Sequence, residues 1–431
     1  LTLAFSILLL SCGGGEHESE PEPGRQPERD STERSAEPAR LSADDPATQL
    51  HRDFPLIDGH NDLPWQYRQT VGRRFSELDV ATAQPQLMTD IPRLRAGGVG
   101  GQFWSVYVDT GQEGADAVRA TMEQIDVVYE LLRRYPDTFE IALTADDVER
   151  IFASGKIASL IGMEGGHSID SSIAVLRMFH RLGARYMTLT HGRNTPWADS
   201  ATDAVALGGL SEFGSEIVRE MNRLGMLVDL SHVSPASMHD VLDIAEAPVI
   251  FSHSSARALC DHPRNVPDDV LERLPDNGGV VMVTFVPSFV SSEVKEHDDR
   301  RDSERDRVEA QPGASRASTE AALSAWDQQH PAPRATLQQI ADHIDHIRNV
   351  AGIDHIGIGS DFDGISAVPE GLEDVSKFPA LTRELLNRGY LPDDVAKVLG
   401  LNVLRAMRAA ERVSARLSSE RTPSEATLDP S

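Results

Sequence analysis

"LIDGHNDLPW", residues 56–65, sets a short apolar run against an abrupt polar cluster and places His60 and Asp62 two positions apart. On a strand, positions i and i+2 point to the same side, so an imidazole and a carboxylate converge on one spot where the strand ends. That is the geometry of a metal clamp, and it raises the question of how the other strands end.

Seven further β-rich runs follow: "GQFWSVYV", "IASLIGME", "RYMTLTH", "MLVDLSH", "PVIFSH", "GVVMVTF" and "HIGIGSDF". Helical patterns sit between them, among them "ADAVRATMEQIDVVYELLRRY", "SIAVLRMFHRLG", "SEFGSEIVREMNRLG" and "TLQQIADHIDHIRNVAG", several closing on a glycine as helix stops do. Strands alternating with helices indicate βα units and a parallel sheet. Eight such strands predict an α/β fold, a TIM (β/α)8 barrel, whose active site lies at the C-terminal strand ends. The polar residues fall there: His60 and Asp62 after the first strand, Glu164 after the third, His191 after the fourth, His232 after the fifth, His253 after the sixth and Asp361 after the eighth. One histidine so placed is usually a hydrogen-bonded structural residue, but six strands ending alike argue for a common site.

Histidine, aspartate and glutamate without cysteine form a borderline-hard donor set suited to Zn2+, with Mn2+ or Fe2+ as alternatives. Four histidines and three carboxylates exceed what one catalytic ion needs while keeping a position open. Two ions sharing a bridging carboxylate fit better, and hydrolysis is the expected chemistry.

The remaining composition narrows the setting. The chain has 431 residues, enough for one large domain with appendages, and its 40% hydrophobic content suits a globular core. With 41 basic against 68 acidic residues its formal charge is −27, which repels nucleic acid and anionic membrane surfaces and favours a small-molecule partner. Two cysteines in unlike settings make no disulfide framework. Cys260 reads as an inert, partly buried thiol. Cys12 follows "LTLAFSILLLS", of signal-peptide length and too short to span a bilayer, and "LLSC" resembles the lipobox of bacterial lipoproteins.

We therefore expect residues 1–12 to be part of a lipoprotein-type signal, with Cys12 lipidated and the sequence beginning inside a precursor. Residues 13–50, rich in Gly, Pro, Ser and charge, read as a disordered tether. A folded domain is expected over 51–415, with a polar insertion at about 291–319 taken as a surface loop and a short helix after it at "EAALSAWDQQ". Residues 416–431 read as a flexible tail. The implied location is the bacterial cell envelope, the domain lipid-anchored outside the cytoplasm.

From about Phe54 to about Arg408 the chain resembles the membrane dipeptidase (renal dipeptidase) family, two-zinc metallopeptidases related to amidohydrolases. The motifs are "DGHNDLPW", "GMEGGHSI", "LTLTHGRNTPWADS", "VDLSHVS", "PVIFSHSSAR", "RNVPDDVL", "IGIGSDFDG" and "VPEGLEDVSKFP". Carried over position by position, the resemblance implies that His60 and Asp62 hold one zinc, His232 and His253 the other, and Glu164 bridges both. It further implies that His191 contacts the substrate carbonyl, that Arg264 in "HPRNVPDD" binds the substrate's terminal carboxylate, and that Asp361 is the acid/base. The expected substrates are dipeptides, with a D-residue tolerated at the second position, and a homodimer is the implied assembly.

Two departures bear on this transfer. Phe289 stands where animal members carry a substrate-pocket tyrosine, and Arg193 stands where they have a cysteine just after the fourth-strand histidine. The alternative functions are another binuclear amidohydrolase acting on N-acyl amino acids or lactams, and a lipid-anchored binding protein that has lost catalysis. Unbroken ligands count against the latter. Among the remaining polar residues, Asp58 reads as a brace for a ligand, His167 as such a brace or a helix-start residue, Asp363 as a brace for the loop after the eighth strand or a turn cap, and His180, His239, His343 and His346 as helix-surface or packing residues.

Overall fold

Short parallel strands form the centre of the computed structural model, which describes residues 45–428. They are β1 (Leu56–Asn61), β2 (Val99–Ser105), β3 (Phe139–Ile141), β4 (Ile157–Met163), β5 (Ala184–Thr188), β6 (Leu227–Asp229), β7 (Ile250–Ser254), β8 (Val280–Val283) and β9 (Ile356–Ile358). Pairing runs β1–β2–β4–β5–β6–β7–β8–β9 and returns to β1 where Asp58 lies opposite Ile358. The ring of eight is therefore closed, and the fold is the TIM barrel expected from the sequence. The extra strand, β3, pairs only with the first half of β4, from Phe139 opposite Ile157 to Ile141 opposite Ser159. Three residues are too few to show an alternating pattern, so the sequence reading missed it.

Both faces of these strands are covered, which is why they read as continuous apolar runs. One buried cluster joins Ile57, Phe103, Leu160, Tyr186 and Met282 to Val403 and Met407 of the helix Asn402–Glu420. The larger cluster packs the strands against the surrounding helices. Those helices begin and end where local chemistry dictates. Ser211 accepts from Gly214 N to start Glu212–Leu224, and Gly225, at φ 77°, stops it in the left-handed region that suits glycine. Thr144 and Thr336 each open a helix with a reciprocal capping box.

Three boundaries inferred from composition differ in the structure. The stretch 13–50 read as tether contains the start of a helix, Pro46–Asp53, capped by Asp45. Its His51 is buried with Nε2 2.7 Å from Thr382 Oγ1, and Asp45 pairs with Arg383 at 3.0 Å, so even a short polar segment docks. The insertion 291–319 is not a loop: Ser292–Glu309 is a helix, paired with a second, Arg316–Gln329. It lacks an apolar stripe, but ion pairs one turn apart, Lys295–Asp299 at 2.7 Å among them, support it. Val294, His297 and Val308 are its buried residues, and Arg301 reaches Asp327 on the second helix at 2.7 Å. Finally, the helix Asn402–Glu420 continues into the tail read from residue 416, and beyond it Ser424 accepts from Arg177 and bonds Glu216 and Glu220.

Candidate active site

His60 is the last but one residue of β1, and Asp62 is the residue from which the helix Leu63–Val71 departs. Asp62 Oδ2 lies 3.2 Å from His60 Nε2. The convergence expected from strand alternation is present, although Asp62 has already left the strand. Glu164, just past β4 and 5% exposed, turns its two oxygens toward different groups. Oε2 lies 3.4 Å from His60 Nε2 and accepts from Ser105 Oγ at 3.2 Å. Oε1 lies 3.0 Å from His232 Nε2 and 3.5 Å from Nε2 of both His253 and His191. His232 and His253, after β6 and at the end of β7, bring their Nε2 atoms to 3.0 Å from each other. Three triads, His60–Glu164–His253, Glu164–His191–His232 and His60–Asp62–Asp361, each hold their donor atoms within 4.8 Å of one another, as a metal ion requires.

Backbone conformation adds to the cost of assembling this cluster. His232 and Asp361 adopt φ values of 65° and 66°, left-handed conformations uncommon outside glycine. Each costs on the order of 1–3 kcal/mol and persists where the surroundings hold it, commonly at functional sites. The buried groups shift one another's proton affinities in both directions. Burial alone would push Glu164 up, yet His60 and His191 hold its carboxyl well below the usual range. Against its own burial, His60 is held well above the usual imidazole range by Tyr186, Glu164 and Asp62. Burial, with the nearby Arg264, drives His232 and His253 well below it. Loss of solvent, together with Asp62 and Glu164, pushes Asp361 well above the carboxylate range.

Two residues that sequence reasoning did not single out orient the imidazoles. Tyr186 Oη donates to Gly59 O at 3.2 Å, which leaves it to accept from His60 Nδ1 at 2.9 Å. Ser252 Oγ donates to Asp229 Oδ2 at 2.7 Å and accepts from His253 Nδ1 at 2.8 Å. With Nδ1 engaged in these bonds, both rings turn Nε2 toward the cluster. Gly162 makes room for Tyr186, since a Cβ there would collide with the phenol ring. The only sequence cue was position: Gly162 and Tyr186 sit on neighbouring strands and Ser252 beside a candidate ligand.

The cluster floors a cavity of about 320 Å³, whose walls include Trp65, Tyr107, Arg264, Phe289 and Gly364. Among the expected substrate contacts, His191 stands at its mouth, 23% exposed at the side chain. Arg264 is buried, and its guanidinium lies 5.2 Å from the Phe289 ring centre. Its hydrogen bonds are long, 3.5 Å to Ser254 Oγ and 3.4 Å to His253 O. No carboxylate lies within ion-pair distance among the described residues. The neighbours that could have claimed it are engaged elsewhere, Asp268 with His346 at 2.8 Å and Asp269 with His239 at 3.0 Å. Burial lowers its pKa to about 10, still fully charged at neutral pH. A larger cleft of about 750 Å³, lined by His167, Arg193 and Trp197, lies beside the site but holds none of the clustered donors.

Asp58 and Asp363 act as braces where the sequence suggested, whereas His167, in the short helical turn Gly166–Ile169, bonds a backbone carbonyl rather than a candidate ligand. Asp58 accepts from Ser360 N and Oγ, both at 2.7 Å, and from Gln102 at 3.0 Å, with the His60 amide at 3.4 Å. Asp363 accepts from Met88 N at 2.8 Å, fixing the loop after β9. His167 bonds Val108 O at 3.0 Å, and His343 bridges Ala256 N and Val290 O as a packing residue. Cys260 is buried and free. Cys12 lies outside the described residues.

Comparison with known proteins agrees with this geometry. Residues 45–421 match the sequence model of a family described as membrane dipeptidase (peptidase family M19). Dipeptidase verJ of Clonostachys rogersoniana is 43% identical over 382 residues, covering 86% of this chain and 88% of that protein. Dipeptidase 3 of Mus musculus is 41% identical over 372 residues, 85% of this chain and 66% of that one. The crystal structure of the probable dipeptidase PvdM from Pseudomonas aeruginosa superposes with a TM-score of 0.75 at 26% identity, covering 85% of this chain and 98% of that chain. With its barrel closed, its donor cluster at the strand ends and nearly all of its described length matched, this chain belongs to the membrane dipeptidase family of metallopeptidases, peptidase family M19.

Proposed function

We propose that the protein hydrolyses dipeptides bearing a free C-terminal carboxylate, using two zinc ions that share Glu164. The observation that carries this reading is the orientation of Glu164: one oxygen turns toward His60, the other toward His232 and His253. The donor set fits zinc, being imidazole and carboxylate without thiolate. His60 Nε2 and Asp62 Oδ1 are buried without a hydrogen-bond partner, as ligand atoms would be. In this reading His60 and Asp62 hold one ion and His232 and His253 the other. When bound, such ions polarise a carbonyl oxygen and bring the ionisation of water near neutral pH.

The chain's own residues supply the rest. Asp361, beside His60 and Asp62, takes a proton from the attacking water and returns one to the leaving amine, a role that contributes typically about 10²- to 10⁴-fold in rate. His191, at the cavity mouth, donates to the carbonyl oxygen as it gains charge. Arg264 pairs with the substrate carboxylate, for which a buried guanidinium without an anionic partner is the complement. A longer peptide cut at its first bond would place a neutral amide there, which explains selection for dipeptides. Acceptance of a D-residue at the second position belongs to the same proposal, resting on the sequence motifs.

Lipid attachment at Cys12 is a separate proposal, supported by "LLSC" and the polar run that follows it. Among the described residues no helix is long and apolar enough to cross a membrane.

Three outcomes are expected. Arg264→Ala should lower kcat/KM for a free dipeptide roughly 10²- to 10³-fold, the scale for losing one partner of a buried charge pair. The C-terminal amide of that dipeptide should lose much less, and equal losses in steady-state assays would exclude carboxylate recognition by this residue. Tyr186→Phe keeps the ring but frees His60 Nδ1, so competition with a chromophoric chelator should show metal affinity weaker by about 10- to 100-fold. Gly162→Ala should act in the same direction, and unchanged affinity in both would refute the orienting role. Finally, cells fed a radiolabelled fatty acid should label the wild-type chain but not Cys12→Ala, whereas equal labelling would rule out lipidation there.

A further inference from the structure

A second cavity, of about 410 Å³, lies beside the catalytic one. The same two loops line both. After β8, Phe289 borders the catalytic cavity, whereas Val286, Pro287 and Ser288, immediately before it, border the second. After β9, Asp361 borders the first, Ile365 and Val368 the second, and Gly364 borders both. Where the two cavities meet, Gly364 leaves no side chain in the way, and a Cβ there would collide with the Asp62 and Asp361 carboxylates. The helix Ser292–Glu309 contributes Val294 to the outer wall. The lining is predominantly apolar, with Asp298 and Arg334 as its charged members. Its volume is at the size of a small-molecule pocket, more than a methyl group needs.

Position selects the occupant. Phe289 lies against Arg264, so a residue whose carboxylate reaches that guanidinium has its α-carbon beside the loop that also walls the second cavity. The opposite wall belongs to Tyr107, after β2, which stands four strands from β7 around the ring and contacts Trp65 with ring centres 4.8 Å apart. That wall is left for the N-terminal residue. We propose that the second cavity is the subsite for the side chain of the dipeptide's C-terminal residue, and that it selects large apolar side chains. This inference rests on the dipeptidase reading above and names the substrate class within it.

The test uses the full-length, zinc-loaded protein and two substrate series. In the first, Ala-Gly, Ala-Leu and Ala-Phe vary the C-terminal residue; in the second, Gly-Ala, Leu-Ala and Phe-Ala vary the N-terminal one. Wild-type kcat/KM should rise at least about 10-fold from Ala-Gly to Ala-Phe, the scale on which an apolar pocket discriminates. Ile365→Asp, which places a charge in the cavity, and Ile365→Trp, which fills it, should both bring that ratio toward one, while the ratio of Phe-Ala to Gly-Ala keeps its wild-type value. A wild-type ratio near one, a ratio that neither variant changes, or a change confined to the N-terminal series would overturn the assignment. Failure of the wild type to hydrolyse any of the six would instead overturn the dipeptidase reading, and this inference with it.

Discussion

A carboxylate withdrawn from water carries a desolvation penalty of several kcal/mol unless positive charge accompanies it, and Glu164 is such a group, enclosed by imidazoles from four strands. His60, His191, His232 and His253 each bring Nε2 to within 3.5 Å of one of its oxygens. Convergence of this kind needs a closed sheet. In an open sheet β1 and β7 would lie at increasing distance, whereas in the ring only β8 and β9 separate them on one side. His232 and Asp361, whose backbones are left-handed, both contribute to this cluster.

Holding that cluster falls to groups buried one layer deeper. Asp58 ties β1 to Gln102 of β2 and to Ser360 just past β9, across the seam where the ring closes. Asp229 does the same for the other side, accepting from Ser252 N at 2.8 Å and Oγ at 2.7 Å and from Thr188 Oγ1 at 2.5 Å, and so joining β5, β6 and β7. Buried carboxylates are tolerated only when hydrogen-bonded, and these two spend their oxygens on strand registration. Ser252 also orients His253, so fold and ligand geometry share one network.

Much of this was legible in the sequence because a TIM barrel concentrates function at one end of periodic elements. The runs "LIDGH", "LVDLSH" and "VIFSH" announced both a strand and the histidine that its end carries into the cluster. What stayed hidden had no periodic signal. The strand Phe139–Ile141 is too short for one. The helix Ser292–Glu309 is stabilised by ion pairs one turn apart rather than by an apolar face, so composition made it look like a loop. Tyr186 appeared to be an ordinary β-strand aromatic, and its bond to His60 depends on contact between residues 126 positions apart. The strand-end motifs pointed to the chemistry, but that Arg264 lacks an anionic partner follows only from the pairing of Asp268 and Asp269 with histidines.

The central claim is that Glu164 lies between two ions that are both needed. Elemental analysis of the full-length protein during stepwise removal of metal by a chelator, with dipeptide hydrolysis measured on the same samples, addresses it most directly. Two divalent ions per chain in fully active protein, with activity falling as either is withdrawn, is the result this account predicts. Full activity in protein holding no more than one ion per chain would contradict it.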